Sequence, residues 1–239
     1  MTNKLAAYLD RWLRDDRVLR LPLGFVFAVL AYAQAYRLFL LLTDRLSPDA
    51  SPKVLAVAAT SVNLLFVAML FWLTIIRSQP NKSANGIAPK LFAILGTFSS
   101  LLLSVLPTAN LPDGLRILAI CLVLIGTVLS LMTVSWLGRS FSICPQSRHL
   151  VTRGPYGIVR HPLYVCEQVF VIGVMLDHFS WIALLIVGVQ WSCQLQRMKY
   201  EEQVLTETFP EYEAYAREVP ALIPRLTFWK VIGATPSGR

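Results

Sequence analysis

The chain has 239 residues, of which 55% are hydrophobic and only 15% charged, with a mean hydropathy of +0.56. Soluble domains carry about 25% charged residues, so the composition excludes an ordinary soluble domain and points to a protein embedded in a bilayer. The formal charge of +8 has a topological explanation, since basic residues gather in cytoplasmic loops; no basic helix or zinc pattern supports nucleic acid as a partner.

In chain order, residues 1–20 come first. Leu5, Tyr8, Leu9, Trp12 and Leu13 recur on one helical stripe among basic groups, which predicts an amphipathic helix on the membrane surface. No small-residue cleavage site precedes the first apolar run, so no cleavable signal peptide is expected. Four apolar runs follow, roughly 21–43, 54–76, 89–108 and 114–137. Each is near the ~20 residues a spanning helix needs. Together, 21–137 reads as a four-span bundle.

A polar stretch, 138–162, comes next. Two shorter apolar runs, about 163–176 and 180–196, flank "LDHFS" and predict a helical hairpin turning at Asp177–Ser180. The last 40 residues are polar and punctuated by proline. The fold class expected is therefore an all-α integral membrane protein of about six spans. Basic residues test this topology. Eighteen fall in the N-terminus, the second and fourth loops and the C-terminal tail; Arg45, Lys53 and Arg116 lie on the other side, and Arg37 sits inside the first run. Six spans then place both termini and the polar stretch in the cytoplasm. Cys121, Cys144, Cys166 and Cys193 form no CxxC pair, so free thiols are expected and no metal site.

Three segments concentrate polar chemistry. In "RGPYGIVRHPLYVCEQ", Arg153–Gln168, Gly154 permits a tight turn or a close backbone approach. Pro162 suits a first helical position. A helix starting near Arg160 would place Arg160, Tyr164, Glu167 and Gln168 on one face, and such an end can hold a charged ligand; headgroup anchoring by Arg and Tyr is the plainer alternative. In "QRMKYEEQVL", Arg197 and Glu201 stand four apart and share a helical face, either as a surface ion pair or as part of a site. In "FPEYEAYAREVPALIPR", Phe209, Tyr212 and Tyr215, then Val219 and Leu222, recur at helical spacing, with a stop at "VP". This is either a short helix on the membrane or a lid folded over the other two segments.

In order and spacing, "LVTRGPY", "RHPLY", an arginine four residues before "EE" and a Phe/Tyr-rich segment ending in "VPALIP" resemble the isoprenylcysteine carboxyl methyltransferase family. The match covers about Arg148 to Arg225, so 138–239 becomes the expected catalytic region with hairpin and lid. The resemblance implies S-adenosylmethionine as cofactor. Arg148, His149, Leu150 and Val151 would line its pocket with Tyr156. His161, Pro162, Leu163 and Tyr164 would form a second wall, with Glu201 and Glu202 completing the set. Arg197, with Glu201 the expected catalytic pair, would face the substrate carboxylate. The partner implied is a lipophilic or prenylated acceptor entering from the bilayer.

The sequence departs from the family at three places. The family's usual histidine at 148 is displaced to His149, its usual glycine after "RHPxYx" is Cys166, and "FPEY" is one residue shorter than "FGxEY". Related membrane folds methylate lipid amines or small thiols, and membrane sterol reductases share an "RHP…VP" C-terminus. The reductases should favour basic groups for a dinucleotide phosphate where this chain has Glu201 and Glu202. A transporter or scaffold is the non-enzymatic alternative; transporters bury ionisable groups at mid-membrane, whereas the charges here cluster at one interface.

Overall fold

The computed structural model describes residues 16–43 and 53–224. Helix α1 (Asp16–Leu42) and α2 (Lys53–Ile76) pack side by side. Helix α3 (Ala88–Phe98) continues as a 3-10 segment, Ser99–Val105, and α4 spans Asp113–Leu137. After short 3-10 turns at Gly138–Ser140 and Gly154–Gly157 come α5 (Pro162–Asp177), α6 (Trp181–Thr208) and α7 (Tyr212–Glu218). Four of these elements are long and apolar enough to cross a membrane: 20–42, 53–76, 88–105 and 113–140. They correspond to the four apolar runs. The surface amphipathic helix expected over 1–20 lies outside the described residues up to position 15, as does the tail from 225.

The third span departs from a plain α-helix for a visible reason. Gln190 Nε2 donates to the Gly96 carbonyl at 3.3 Å, occupying an oxygen that α-helical pairing would use. A side chain inserted into the backbone ladder in this way bends or retunes a helix. The element ends at Leu106, whose extended ψ of 151° is what a following proline demands. Eleven α-helical and seven 3-10 residues together rise about 30 Å, the thickness of a bilayer core.

Helix α4 packs along α5, α3 along α6, and α2 against both α1 and α4. Small residues set the α4–α5 spacing. A Cβ on Gly126 would collide with the Phe170 backbone, and one on Gly173 would lie 2.7 Å from the Ala119 carbonyl. This is the packing mode of helices in lipid, where close backbone approach replaces hydrophobic drive. Helices α5 and α6 follow each other through residues 178–180, but α5 leans mainly on α4 rather than on α6. Helix α6 also runs twelve residues past the apolar stretch that marked it in the sequence, carrying Arg197–Thr208 as one continuous helix.

The larger core joins Phe27, Leu70, Ala93 and Val134 to Phe141, Ile143 and Leu163. It underlies the polar 138–161 loop. A smaller cluster, Leu103, Val171 and Ala183, sits toward the other end, where the Ala109 amide donates to the Asp177 carbonyl at 2.8 Å. The loop between α2 and α3 braces the polar stretch: strands Lys82–Ser83 and Gln146–Ser147 pair antiparallel, Lys82 opposite Ser147. Asn81 Nδ2 donates to the Arg148 carbonyl at 2.7 Å and Arg148 Nε to the Ser78 carbonyl at 2.7 Å.

Candidate active site

The polar loop, the start of α5, the second half of α6 and α7 enclose one cavity, with ≈ 820 Å³ of empty space including its solvent-open mouth.

Local sequence explains each wall. Gly154 has φ +62°, and a Cβ there would stand 2.6 Å from the Trp136 indole, so both the left-handed backbone and the close approach require glycine. The turn it makes delivers Tyr156 to the cavity, buried. Burial, reinforced by the Glu201 carboxylate, raises the Tyr156 phenol well above its ordinary value. Helix α5 begins at Pro162, with His161 as its N-cap, the placement expected for a residue without an N–H. The helix therefore starts two residues later than the one-face arrangement predicted from Arg160, and Arg160 falls outside it. Leu163 and Tyr164, in the first turn, line the cavity.

On α6, Arg197 and Glu201 meet as their spacing predicts, with Nε 3.2 Å from Oε1. The pair is no surface pair, since Arg197 is 4% exposed. Its Nη1 donates to Thr97 Oγ1 (3.1 Å) and to Gln194 Oε1 (3.5 Å), and its Nη2 to the Ser142 carbonyl (3.3 Å). The guanidinium carbon lies 5.0 Å from the centre of the Tyr164 ring. Tyr164 in turn donates its hydroxyl to Glu201 Oε1 at 2.7 Å. Four chain segments thus fix one cation, which is the form buried charge takes when its hydrogen bonds are met. Below it, Gln194 Nε2 donates to Glu167 Oε2 (2.8 Å) and Gln168 Nε2 to Gln190 Oε1 (2.6 Å).

Of the residues singled out in the sequence, Arg148, His149, Leu150, Val151, Tyr156, His161, Leu163, Tyr164, Arg197 and Glu201 line the cavity. Two stand behind the wall. Pro162 is buried in the first turn of α5, and Glu202 faces away from the cavity. Glu202 Oε1 accepts from Arg160 Nε (2.9 Å), Arg160 Nη2 (2.7 Å) and His161 Nε2 (2.9 Å). Partial burial would raise the Glu202 carboxyl, but those bonds and the Arg160 charge hold it below the usual range. Arg148, although it borders the cavity, directs Nε to Ser78 and Nη2 to Gln146 Oε1 (2.8 Å), so its guanidinium ties the loop together.

Helix α7 closes the site from outside. Tyr212 and Tyr215 line the cavity, and Tyr215 donates to the Tyr156 carbonyl at 2.6 Å. Arg160 Nη1 donates to the Ala216 and Val219 carbonyls (2.7 and 3.0 Å). The amides of Arg160 and His161 donate to Pro220 and Ala221. Burial pushes the Tyr215 phenol up to about 12. No local sequence pattern marks Ser142, Gln146 or Thr97. Thr97 lies a hundred residues from its partner Arg197, and no local spacing signals such a pairing. Among the described residues, no group of three or more His, Cys, Asp or Glu side chains is placed to hold a metal ion.

Comparison with known proteins bears on the same region. Residues 115–212 match the model of the phospholipid methyltransferase family. The chain is 37% identical over 87 residues to the nickel-cobalt-cadmium resistance protein NccN of Alcaligenes xylosoxydans xylosoxydans, covering 36% of this chain and 40% of that protein. It is 32% identical over 120 residues to the cobalt-zinc-cadmium resistance protein CzcN of Cupriavidus metallidurans, covering 49% and 56%. It is 35% identical over 112 residues to protein-S-isoprenylcysteine O-methyltransferase B of Arabidopsis thaliana, covering 43% and 56%. The chain thus spans about half the length of the curated relatives it matches. The stretch that supplies most of the cavity wall, 115–212, therefore matches the phospholipid methyltransferase family, and its similarity extends to the isoprenylcysteine O-methyltransferases.

Proposed function

We propose that this protein is a multi-pass membrane methyltransferase that moves a methyl group from S-adenosylmethionine to a lipophilic acceptor, the carboxylate of an isoprenylcysteine-like molecule. The observation that carries the reading is the convergence of Tyr156, Tyr164, Glu201 and Arg197 on one cavity, within the segment that matches a methyltransferase family.

The donor set suits this cofactor. Glu201 makes both of its protein bonds through Oε1, which leaves Oε2 for an amino group or a ribose diol. The faces of Tyr156 and Tyr164 can stabilise a sulfonium by cation–π attraction. His149, Leu150 and Val151 supply one wall, and His161 and Leu163, braced by Pro162 and Glu202, the other. When bound, S-adenosylmethionine supplies an electrophilic methyl group.

The chain's own part is positioning. A carboxylate acceptor is already a competent nucleophile, so no residue need remove a proton; orientation and exclusion of water do the rest. Arg197 provides the orientation. Four of its five N–H groups are engaged by the protein, and one on Nη2 remains for an acceptor oxygen. A bidentate grip on the carboxylate requires Arg197 to release a second bond, and its long contact with Gln194 is the first to yield. The α7 roof, held by Arg160, excludes water.

Six crossings, with both termini and the cavity on the cytoplasmic side, complete the proposal. Helix α5, with 16 residues, extends about 24 Å, and α6, with 28, about 42 Å. The first spans a bilayer core marginally; the second spans it and projects the Arg197–Thr208 end beyond. The clustering of basic residues supports the orientation. The acceptor enters sideways from the lipid.

A transfer assay with radiolabelled S-adenosylmethionine on a panel of prenyl-thiol acids, lipid amines and small thiols tests this directly. Label should appear on the prenyl-thiol acid. Glu201→Gln should weaken cofactor binding, while Arg197→Ala should keep it and lose turnover. Unchanged cofactor affinity in Glu201→Gln together with full turnover in Arg197→Ala would overturn the assignment, and binding of a reduced nicotinamide dinucleotide in place of S-adenosylmethionine would overturn the reaction class.

A further inference from the structure

The cavity wall contains a hydroxyl that the described residues leave without a partner. Tyr212, in the first turn of α7, lines the cavity and is 3% exposed. Its hydroxyl is sealed from solvent and has no hydrogen-bond partner among the described residues. Its neighbours are otherwise satisfied: Tyr215 donates to Tyr156, and Arg160 to Glu202, Ala216 and Val219. The ring of Tyr212 packs edge-on against Tyr215, with centroids 5.8 Å apart. Buried hydroxyls are nearly always hydrogen-bonded, and an exception needs a reason.

Phenylalanine would fill the same space without the stranded hydroxyl, so stability of the empty protein gives no reason for tyrosine here. A bound molecule does. From the geometry we infer that the Tyr212 hydroxyl donates a hydrogen bond to the methyl donor in the cavity, making α7 a ligand-contacting wall as well as a roof. The placement of the two groups assigns the contact to the donor rather than to the acceptor. Tyr212 belongs to the α7 roof, pinned to the polar loop through Arg160. Arg197, the residue proposed to grip the acceptor, is held instead by Thr97 of α3 and Gln194 of α6, among the helices between which a lipophilic acceptor would enter.

This contact rests on the reading of the cavity as the methyl-donor site. The test is calorimetric titration of the full detergent-solubilised chain with S-adenosylmethionine, wild type against Tyr212→Phe, with melting temperature and acceptor KM measured beside it. The variant should bind the donor about tenfold more weakly, equivalent to about 1.4 kcal/mol. Its melting temperature without ligand should be unchanged or higher, and its acceptor KM unchanged. Donor affinity within threefold of wild type overturns the contact and leaves the site reading standing. Failure of the wild-type chain to bind the donor at all overturns the site reading and the contact together. A fall in melting temperature of the ligand-free variant shows a structural role for the hydroxyl and also overturns the contact.

Discussion

Arg160 and Glu202 face each other 42 residues apart, Nε and Nη2 both reaching the same carboxylate oxygen at 2.9 and 2.7 Å. The remaining reach of Arg160 goes to two carbonyls at the end of α7, Ala216 and Val219. One side chain therefore couples the long helix α6 to the roof of the cavity. Arg160→Ala should release that roof. Hydrogen exchange over 212–218 should rise at least tenfold, with about 1–3 kcal/mol lost in overall stability and weaker retention of the methyl donor. Exchange at the wild-type rate would show that the Tyr215 bond to Tyr156 holds the roof alone.

The same clamp should respond to acid. Glu202 titrates below the ordinary carboxylate value in the folded protein, because its bonds to His161 and Arg160 outweigh the effect of burial. A depressed carboxylate contributes stability that is complete above its unfolded value and is lost as pH falls through the folded one. Exchange over 212–218, corrected for the intrinsic rate, should therefore stay flat from pH 7 to about 5 and rise only below the usual carboxylate range. Glu202→Gln should remove that step. A step that persists in the variant would assign the acid response to another group.

Gly154 and Gly138 both have positive φ, +62° and +49°, yet only Gly154 faces a wall, the Trp136 indole. Gly138→Ala should cost the backbone term alone, about 1–2 kcal/mol. Gly154→Ala should cost more, about 2–4 kcal/mol, by adding the collision with Trp136, and should displace Tyr156 and reduce donor binding. Equal melting temperatures for the two variants would refute the steric half of this account.

In the α4–α5 contact, Gly126→Val should be severe, because the Phe170 backbone cannot move aside as a side chain can. Gly114→Ala, at the start of α4 with nothing near its Cβ, should be neutral or slightly stabilising. Yield of folded protein in detergent and melting temperature check both. Parity between the two would mean that α4 and α5 do not pack through Gly126.

Much of this arrangement was legible from local pattern. The spans showed as runs of apolar residues, because length and hydropathy are all that a bilayer asks of a helix. Pro162 announced the start of α5, and the i,i+4 spacing of Arg197 and Glu201 gave their contact. What stayed hidden rests on long-range pairing. Nothing near Gly96 in sequence reveals that Gln190 will take its carbonyl and turn the helix to 3-10 form. Nor does "RSQPNKSANG" disclose that Ser78 and Asn81 support the Arg148 segment. A helix starting near Arg160 would carry that residue on its face, but α5 begins at Pro162, two residues later, and adjacency to Glu201 in sequence does not fix which face of α6 Glu202 occupies.

The socket of Arg197 draws on Thr97 from α3 and Ser142 from the polar loop as well as on its own helix. The matched segment, 115–212, contains the arginine and the loop but not the threonine. A fragment starting at Asp113 would keep every recognisable motif and still lose one side of the cradle, together with the Ser78–Asn81 brace. The unremarkable front half of the chain is thus a working part of the cavity's architecture, and transplanting the motif-bearing half onto foreign spans would require carrying Thr97 and that brace with it.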